Sequence, residues 1–230
     1  MVCSEAKPRT ARRAPGGHAY HVLNRAVGRM RLFRTDEDFQ GFRRVMVEAH
    51  RRHPLRILAY CIFSNHWHFV VWPRADGQVT DYFRWLAHTH AMRWRVAHGS
   101  VGYGHLYQGR FKSFPVQSDE HLLTVARYVE RNAVGAGLVE RAEQWTYGTL
   151  YARSHAADPT RAILADWPIE PPADWVERVN APLSAGELKR LRSSVVRGSP
   201  FGTDAWAERT ARRLGPEHTL RPEGRPPKTN

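Results

Sequence analysis

CIFSNHWHFVVW, residues 61 to 72, is an apolar run dense in β-formers that carries two imidazoles one residue apart, His66 and His68. Side chains alternate across a strand, so both histidines project from one face of a sheet and Trp67 from the other. Two neutral ring nitrogens side by side form a metal-ligand arrangement. Two half-buried polar residues satisfied by backbone or water would show the same pattern. The pair becomes a site only if the fold brings it further chemical partners.

Working outward, LRILAYCIF reads as the strand before it, with Ser64 and Asn65 marking a tight connection, so the two strands pair as a hairpin. Upstream, residues 36 to 51 have acids in the first turn and apolar residues at Phe39, Phe42, Val45 and Met46, an amphipathic helix. Before that helix, HAYHVLNRAV gives a first strand at about residues 18 to 25. Downstream, residues 79 to 97 read as a helix with Thr80 or Asp81 as cap and Gly99-Ser100 as stop. A fourth strand follows at about 111 to 117, then a third helix from Asp119 to about Val134, capped by Ser118 and ended by Gly135 and Gly137. The order β-α-β-β-α-β-α predicts an α+β fold: a ferredoxin-like four-stranded antiparallel sheet (βαββαβ) with its helices on one face, plus one additional helix.

The charge balance narrows the partner. The 230 residues hold 35 Lys and Arg against 22 Asp and Glu, a formal +13, with arginine far outnumbering lysine. Arginine contacts phosphate bidentately and stacks on bases, so a nucleic acid is expected before a membrane surface. No apolar stretch approaches the roughly 20 residues of a membrane span, and no apolar region follows the basic N-terminus. The expected location is cytoplasmic. Cys3 and Cys61 form neither a disulfide framework nor a metal knuckle. The expected organisation is a disordered basic leader at 1–17, a main domain at 18–150, a Pro- and Ala-rich connecting segment at 151–188, and a basic C-terminal segment at 189–230. That last segment has ten Lys and Arg against four Asp and Glu, and one short helix at about 203 to 214.

The third helix offers partners for the histidine pair. Leu122, Val125, Ala126, Val129 and Ala133 form its apolar face, and Tyr128 and Asn132, one turn apart, lie together on the flank. A boundary tyrosine with a wet hydroxyl and an ordinary C-terminal asparagine would look alike. His121, seven residues before Tyr128 on the same flank, is a further candidate ligand or proton carrier.

Together HVLNRAVGR, SNHWHFVVW, YQGRFKS and RYVERNAVGAGLV resemble the single-tyrosine HUH transposases of the IS200-like type. The continuation SVVRGSPFGTDAWAERTARRLG with the tail RPEGRPPK resembles the REP-associated tyrosine transposases. Two positions depart from that pattern: Ser64 stands where the family has proline, and Trp67 where it has an aliphatic residue. The resemblance implies metal-dependent cleavage and rejoining of single-stranded DNA at imperfect-palindrome hairpins, with Tyr128 as nucleophile. His66, His68 and Asn132 would hold Mg²⁺ or Mn²⁺. Arg127, Arg131 and Lys112 are candidate cations for the phenolate; they and Asn24, Arg25, Gln108, Arg110, Arg221, Arg225 and Lys228 are candidate DNA contacts, and with DNA as partner the expected location is nucleoid-associated. Trp67, Trp72, Tyr103 or Trp206 would stack on unpaired bases. The resemblance implies a monomer acting in cis. Two rival readings remain: a catalytically silent hairpin-binding protein on the same fold, and a zinc hydrolase recruiting His88 and His90, or His18 and His21.

Overall fold

The structure, a computed structural model, describes residues 14–215 and 217–220. The elements run β1 (Ala19–Arg25), α1 (Asp36–Arg52), β2 (Arg56–Ile62), β3 (His66–Trp72), α2 (Gln78–Ala97), β4 (Lys112–Val116) and α3 (Glu120–Gly135). After these come α4 (Thr149–Ser154), α5 (Trp175–Asn180), α6 (Ala185–Arg197) and α7 (Asp204–Leu214). The four strands form one antiparallel sheet in the order β2-β3-β1-β4, the ferredoxin-like arrangement.

The sheet is buried on both faces, and the alternation of side chains decides which helix covers which. Tyr20, Val22, Tyr60, Trp67, Phe69 and Val71 face α1 and α2, which return Phe42, Met46, Tyr82 and Phe83. Ala19, Cys61, Val70, Phe114 and Val116 face α3, which returns Leu122, Val125, Val129 and Ala133. Trp67 is fully buried, stacked on Phe83 at 5.5 Å, with its Nε1 donating to the Tyr107 hydroxyl at 3.2 Å. Burying such a side chain contributes roughly 1.5–3 kcal/mol, so the indole anchors the strand whose other face presents the histidines. It is closed to any base, and the stacking role expected for Trp67 falls away.

Two helix starts differ from expectation. α2 begins at Gln78 behind Gly77 at φ 85°, and the Gln78 side chain accepts from the backbone N–H groups of Arg74 (2.7 Å) and Ala75 (3.2 Å). The glycine supplies a left-handed cap that Thr80 and Asp81 do not. α3 is capped by Asp119 rather than Ser118: Oδ1 of Asp119 accepts from the backbone of His121 at 2.9 Å.

The segment 151–188 packs against the sheet. The Ala165 N–H donates to Ile57 O at 2.8 Å, and Arg153 Nη2 donates to Leu58 O and Ala165 O, closing the β2 edge. On the opposite edge the Phe201 N–H donates to Pro115 O. Both edges are thereby protected from pairing with another chain. α7 coincides with the short helix read at 203 to 214; α6 has no counterpart in the sequence reading. Residues 14 to 17, assigned to the leader, also pack: Ala14 is buried, Gly16 N–H donates to Asp76 and Gly17 N–H to Pro73 O.

His90 lies in the α1/α2 core, its Nδ1 2.8 Å from the Tyr107 hydroxyl, while His88 is exposed on the other side of α2. Burial lowers the His90 pKa to about 3, with a lesser push from His98. The unfolded chain takes up a proton near pH 6.5 that folded His90 refuses, so folding stability is lost as pH falls from about 6.5 toward 3. His90→Gln should remove up to about 2 kcal/mol of the stability difference between pH 7 and pH 5, read by urea unfolding at both values.

Candidate active site

β3 sets the centre. Arg25 lies opposite His66 and Leu23 opposite His68 on β1, while Cys61 lies opposite His68 on β2. The two imidazole rings are 5.0 Å apart and nearly perpendicular. His66 Nδ1 donates to Asn65 Oδ1 at 2.6 Å, an orientation fixed by the Asn65 amide donating to Arg29 O at 3.4 Å. His68 Nδ1 lies 2.9 Å from Nε2 of His21, which stacks against it from β1. In both rings Nδ1 is engaged and Nε2 is left as the available nitrogen, the arrangement in which an outer partner fixes a ligand's tautomer.

These rings stay neutral. Burial, then Arg25, pushes the His66 pKa down to about 4; burial, then His21, His66 and Arg25, holds His68 well below its ordinary value; burial alone takes His21 to about 3. A neutral imidazole is the state that ligates a cation.

α3 brings up the remaining groups. The edge of the Tyr128 ring approaches His68 at 6.0 Å and His21 at 6.3 Å between centroids. Asn132, one turn on, lines the same cleft of about 350 Å³ with Phe63, His66, Tyr128, Arg131 and Arg192. Burial raises the Tyr128 pKa, opposed by the Arg192 and Arg25 charges and by the Asn132 amide. The Asn132 amide thus sits beside the Tyr128 hydroxyl, and its Nδ2 has no further hydrogen-bond partner among the described residues. His66, Tyr128 and Asn132 therefore share one cleft, with the His68 ring 5.0 Å from His66 and 6.0 Å from Tyr128. Such a mixed nitrogen and oxygen set suits a divalent ion such as Mn²⁺ or Mg²⁺. Among the described residues no group of three or more His, Cys, Asp or Glu has metal-holding geometry. Of the ligands the zinc hydrolase reading would recruit, His88 and His90 are on opposite sides of α2, His18 is hydrogen-bonded to Arg213, and Nε2 of His21 is engaged by Nδ1 of His68.

Other candidate residues fall into separate places. Arg25, Gln108, Arg110 and Lys112 line a second hollow of about 350 Å³ that ends against Val195 and Val196 of α6. Asn24 is buried; its amide donates to Gly109 O at 3.2 Å and accepts from Arg25 N–H at 2.9 Å, so it fixes the loop carrying Gln108 and Arg110. Arg127 Nη2 donates to Ala181 O and Pro182 O, and Arg131 Nε to Ala181 O, tying α3 to the segment before α6. His121 is held at the α3 cap by Asp119 and packs on Phe201, so it joins neither the histidine pair nor Tyr128. Arg221, Arg225 and Lys228 lie outside the described residues.

Two positions at the site take places the sequence reading did not give them: His21 was weighed there only as a zinc ligand, and Arg192 was not singled out. His21 backs His68, a contact that depends on β1–β3 register. Arg192 reaches Tyr128 from α6, whose signal was legible: Ser184 and Glu187 form a capping box ahead of Leu188, Leu191 and Val195.

The architecture recurs in the solved structure of a REP-associated tyrosine transposase bound to a REP hairpin, at TM-score 0.52 and 19% identity over 78% of this chain and 96% of that one. The fold class is thus that of the tyrosine transposases. Residues 16–132 match the family described as IS200-like transposase, and the chain belongs to that family. A candidate transposase from Deinococcus radiodurans R1 aligns over 55% of this chain and 95% of its own at 17% identity, with TM-score 0.37. No curated protein matches the sequence. Among the described residues no helix is long and apolar enough to cross a membrane.

Proposed function

We propose that this transposase cleaves and rejoins single-stranded DNA at hairpin sequences through a covalent tyrosine intermediate. The observation that carries the reading is Tyr128 beside the histidine pair, its ring 6.0 Å from His68, with His66 and Asn132 lining the same cleft and Arg25 and Arg192 nearby. His66, His68 and the Asn132 amide oxygen would hold Mg²⁺ or Mn²⁺, which when bound would supply Lewis-acid chemistry to the phosphate. Tyr128 Oη attacks phosphorus, giving its proton to solvent; the phosphorus bond to the 3′-oxygen breaks, and that oxygen takes up a proton as the 3′-hydroxyl. The 5′ end remains on Tyr128 as a phosphodiester, and attack by a 3′-hydroxyl reverses the step without a nucleotide cofactor. Arg192 and Arg25 favour the phenolate that burial disfavours.

The hairpin partner is favoured by the net positive charge, by the hollow lined by Arg25, Arg110 and Lys112, and by the similarity to a protein solved with a REP hairpin. Stapling of α3 by Arg127 and Arg131 favours a subunit acting in cis, and a DNA substrate favours a nucleoid-associated location. The test incubates the protein with end-labelled hairpin oligonucleotides from its genomic flanks, with Mn²⁺ or EDTA, and seeks an SDS-resistant protein–DNA band. A metal-dependent band is expected. Tight hairpin binding with no adduct in any metal would instead select the silent binding protein.

A further inference from the structure

Four of the most exposed apolar side chains follow one another at the C-terminal end of α2: Met92 and Val96, one turn apart, and Val101 and Tyr103 in the loop that follows, exposed by 58%, 70%, 68% and 78%. Apolar surface of this kind, clustered and rimmed by charge, marks an interaction surface. The loop is built to hold its shape. Arg95 Nη1 donates to Ser100 Oγ, and Arg95 Nη2 lies 3.1 to 3.4 Å from the carbonyls of Tyr103, Gly104 and His105. Gly102 and Gly104, at φ 91° and 72°, bend the backbone on either side of Tyr103. A tyrosine is thus displayed in water on a braced turn, with no core contact to account for it.

The loop continues directly into the basic hollow: Val27 N–H donates to Leu106 O and Gln108 N–H to Arg25 O. Beneath it, Trp94 Nε1 donates to Leu32 O and carries the Arg34 guanidinium over its ring at 5.7 Å, bringing the exposed Arg29, Arg31 and Arg34 to this end of the molecule. An exposed apolar tip with guanidinium groups at the same end of the molecule complements the end of a nucleic-acid duplex, whose terminal base pair is an aromatic surface bordered by two phosphate strands. The same arginines disfavour a second copy of this chain, which carries a formal +13.

We infer that Tyr103, with Val101 and the Met92–Val96 stripe, forms a stacking platform for the terminal base pair at the foot of the DNA hairpin, where duplex gives way to the single strand entering the Arg25–Lys112 hollow. The inference rests on the DNA reading above and adds a structure-selective contact to it: affinity for a duplex foot, separate from affinity for the strand.

The test uses the full chain, with Tyr103→Ala and Tyr103→Trp variants checked for fold by circular dichroism. Fluorescence anisotropy measures binding to a hairpin with a 5′ single-stranded tail and to the tail alone, and a 2-aminopurine in the pair at the foot reports stacking. Wild type and Tyr103→Trp are expected to quench the 2-aminopurine. Tyr103→Ala is expected to lose the quenching and to bind the hairpin about tenfold more weakly, with tail affinity unchanged. Equal hairpin affinity and quenching in wild type and Tyr103→Ala would overturn the platform while leaving the transposase reading intact. So would a wild-type dimer that Tyr103→Ala converts to monomer, which would make the patch a protein interface. Absence of binding to either oligonucleotide would overturn the DNA reading and the platform with it.

Discussion

Tyr128→Phe protein is expected to bind hairpin oligonucleotides with wild-type affinity and to form no covalent adduct. The substitution removes one hydroxyl and keeps the ring that packs against the α3-facing core and edges His68 and His21. Its effect on stability should therefore stay within about 1 kcal/mol. The chemistry has no comparable reserve: loss of a covalent nucleophile costs on the order of 10⁴-fold or more in rate. Denaturing gels read the adduct, anisotropy reads binding, and the two together separate a chemical defect from a folding one. An adduct that survived in Tyr128→Phe would place the nucleophile elsewhere in the chain.

The second large effect belongs to His68→Ala. This residue is the more deeply buried of the pair, and its loss removes one candidate nitrogen and also strands Nε2 of His21, which has no other hydrogen bond among the described residues. Cleavage in Mn²⁺ should drop below detection, and unfolding free energy should fall by about 1–3 kcal/mol from the unpaired buried group. His21→Gln makes the contrast. It keeps His68 and disturbs only its support, so it should lower Mn²⁺ affinity by about 10–100-fold and be rescued by raised Mn²⁺, as His68→Ala is not. Calorimetric titration with Mn²⁺ beside the cleavage assay distinguishes the ligand from the residue that positions it.

The local parts of this architecture were legible because local chemistry dictates them. β3 starts and stops at His66 and Trp72 because the apolar run does, and the acids of residues 36 to 38 announce α1. The Tyr128–Asn132 pairing followed from helical periodicity alone. What the sequence withheld depends on register and tertiary packing. His21 sits in a predicted strand, but only the Leu23–His68 pairing makes it the support of His68 rather than a surface residue. Arg127 and Arg131 read as phosphate contacts because guanidinium groups suit both phosphates and carbonyls; only the fold shows the Ala181 and Pro182 carbonyls in front of them. The start of α6 was legible in its Ser184–Glu187 capping box, but that the helix packs so as to bring Arg192 to Tyr128 is a matter of tertiary structure.

The bracing of α3 has a kinetic consequence. Arg127, Arg131 and the Trp175 Nε1–H donated to Glu130 at 2.8 Å guy the tyrosine helix to the segment of its own chain that follows. On the proposed mechanism, a severed 5′ end attached to that helix would stay over the cleft in which it was cut. The encounter of this end with a 3′-hydroxyl gripped by the same subunit then proceeds at an effective concentration fixed by the length of strand between them. Resealing would be first order, indifferent to how dilute the protein is, and the break would be guarded by the molecule that made it.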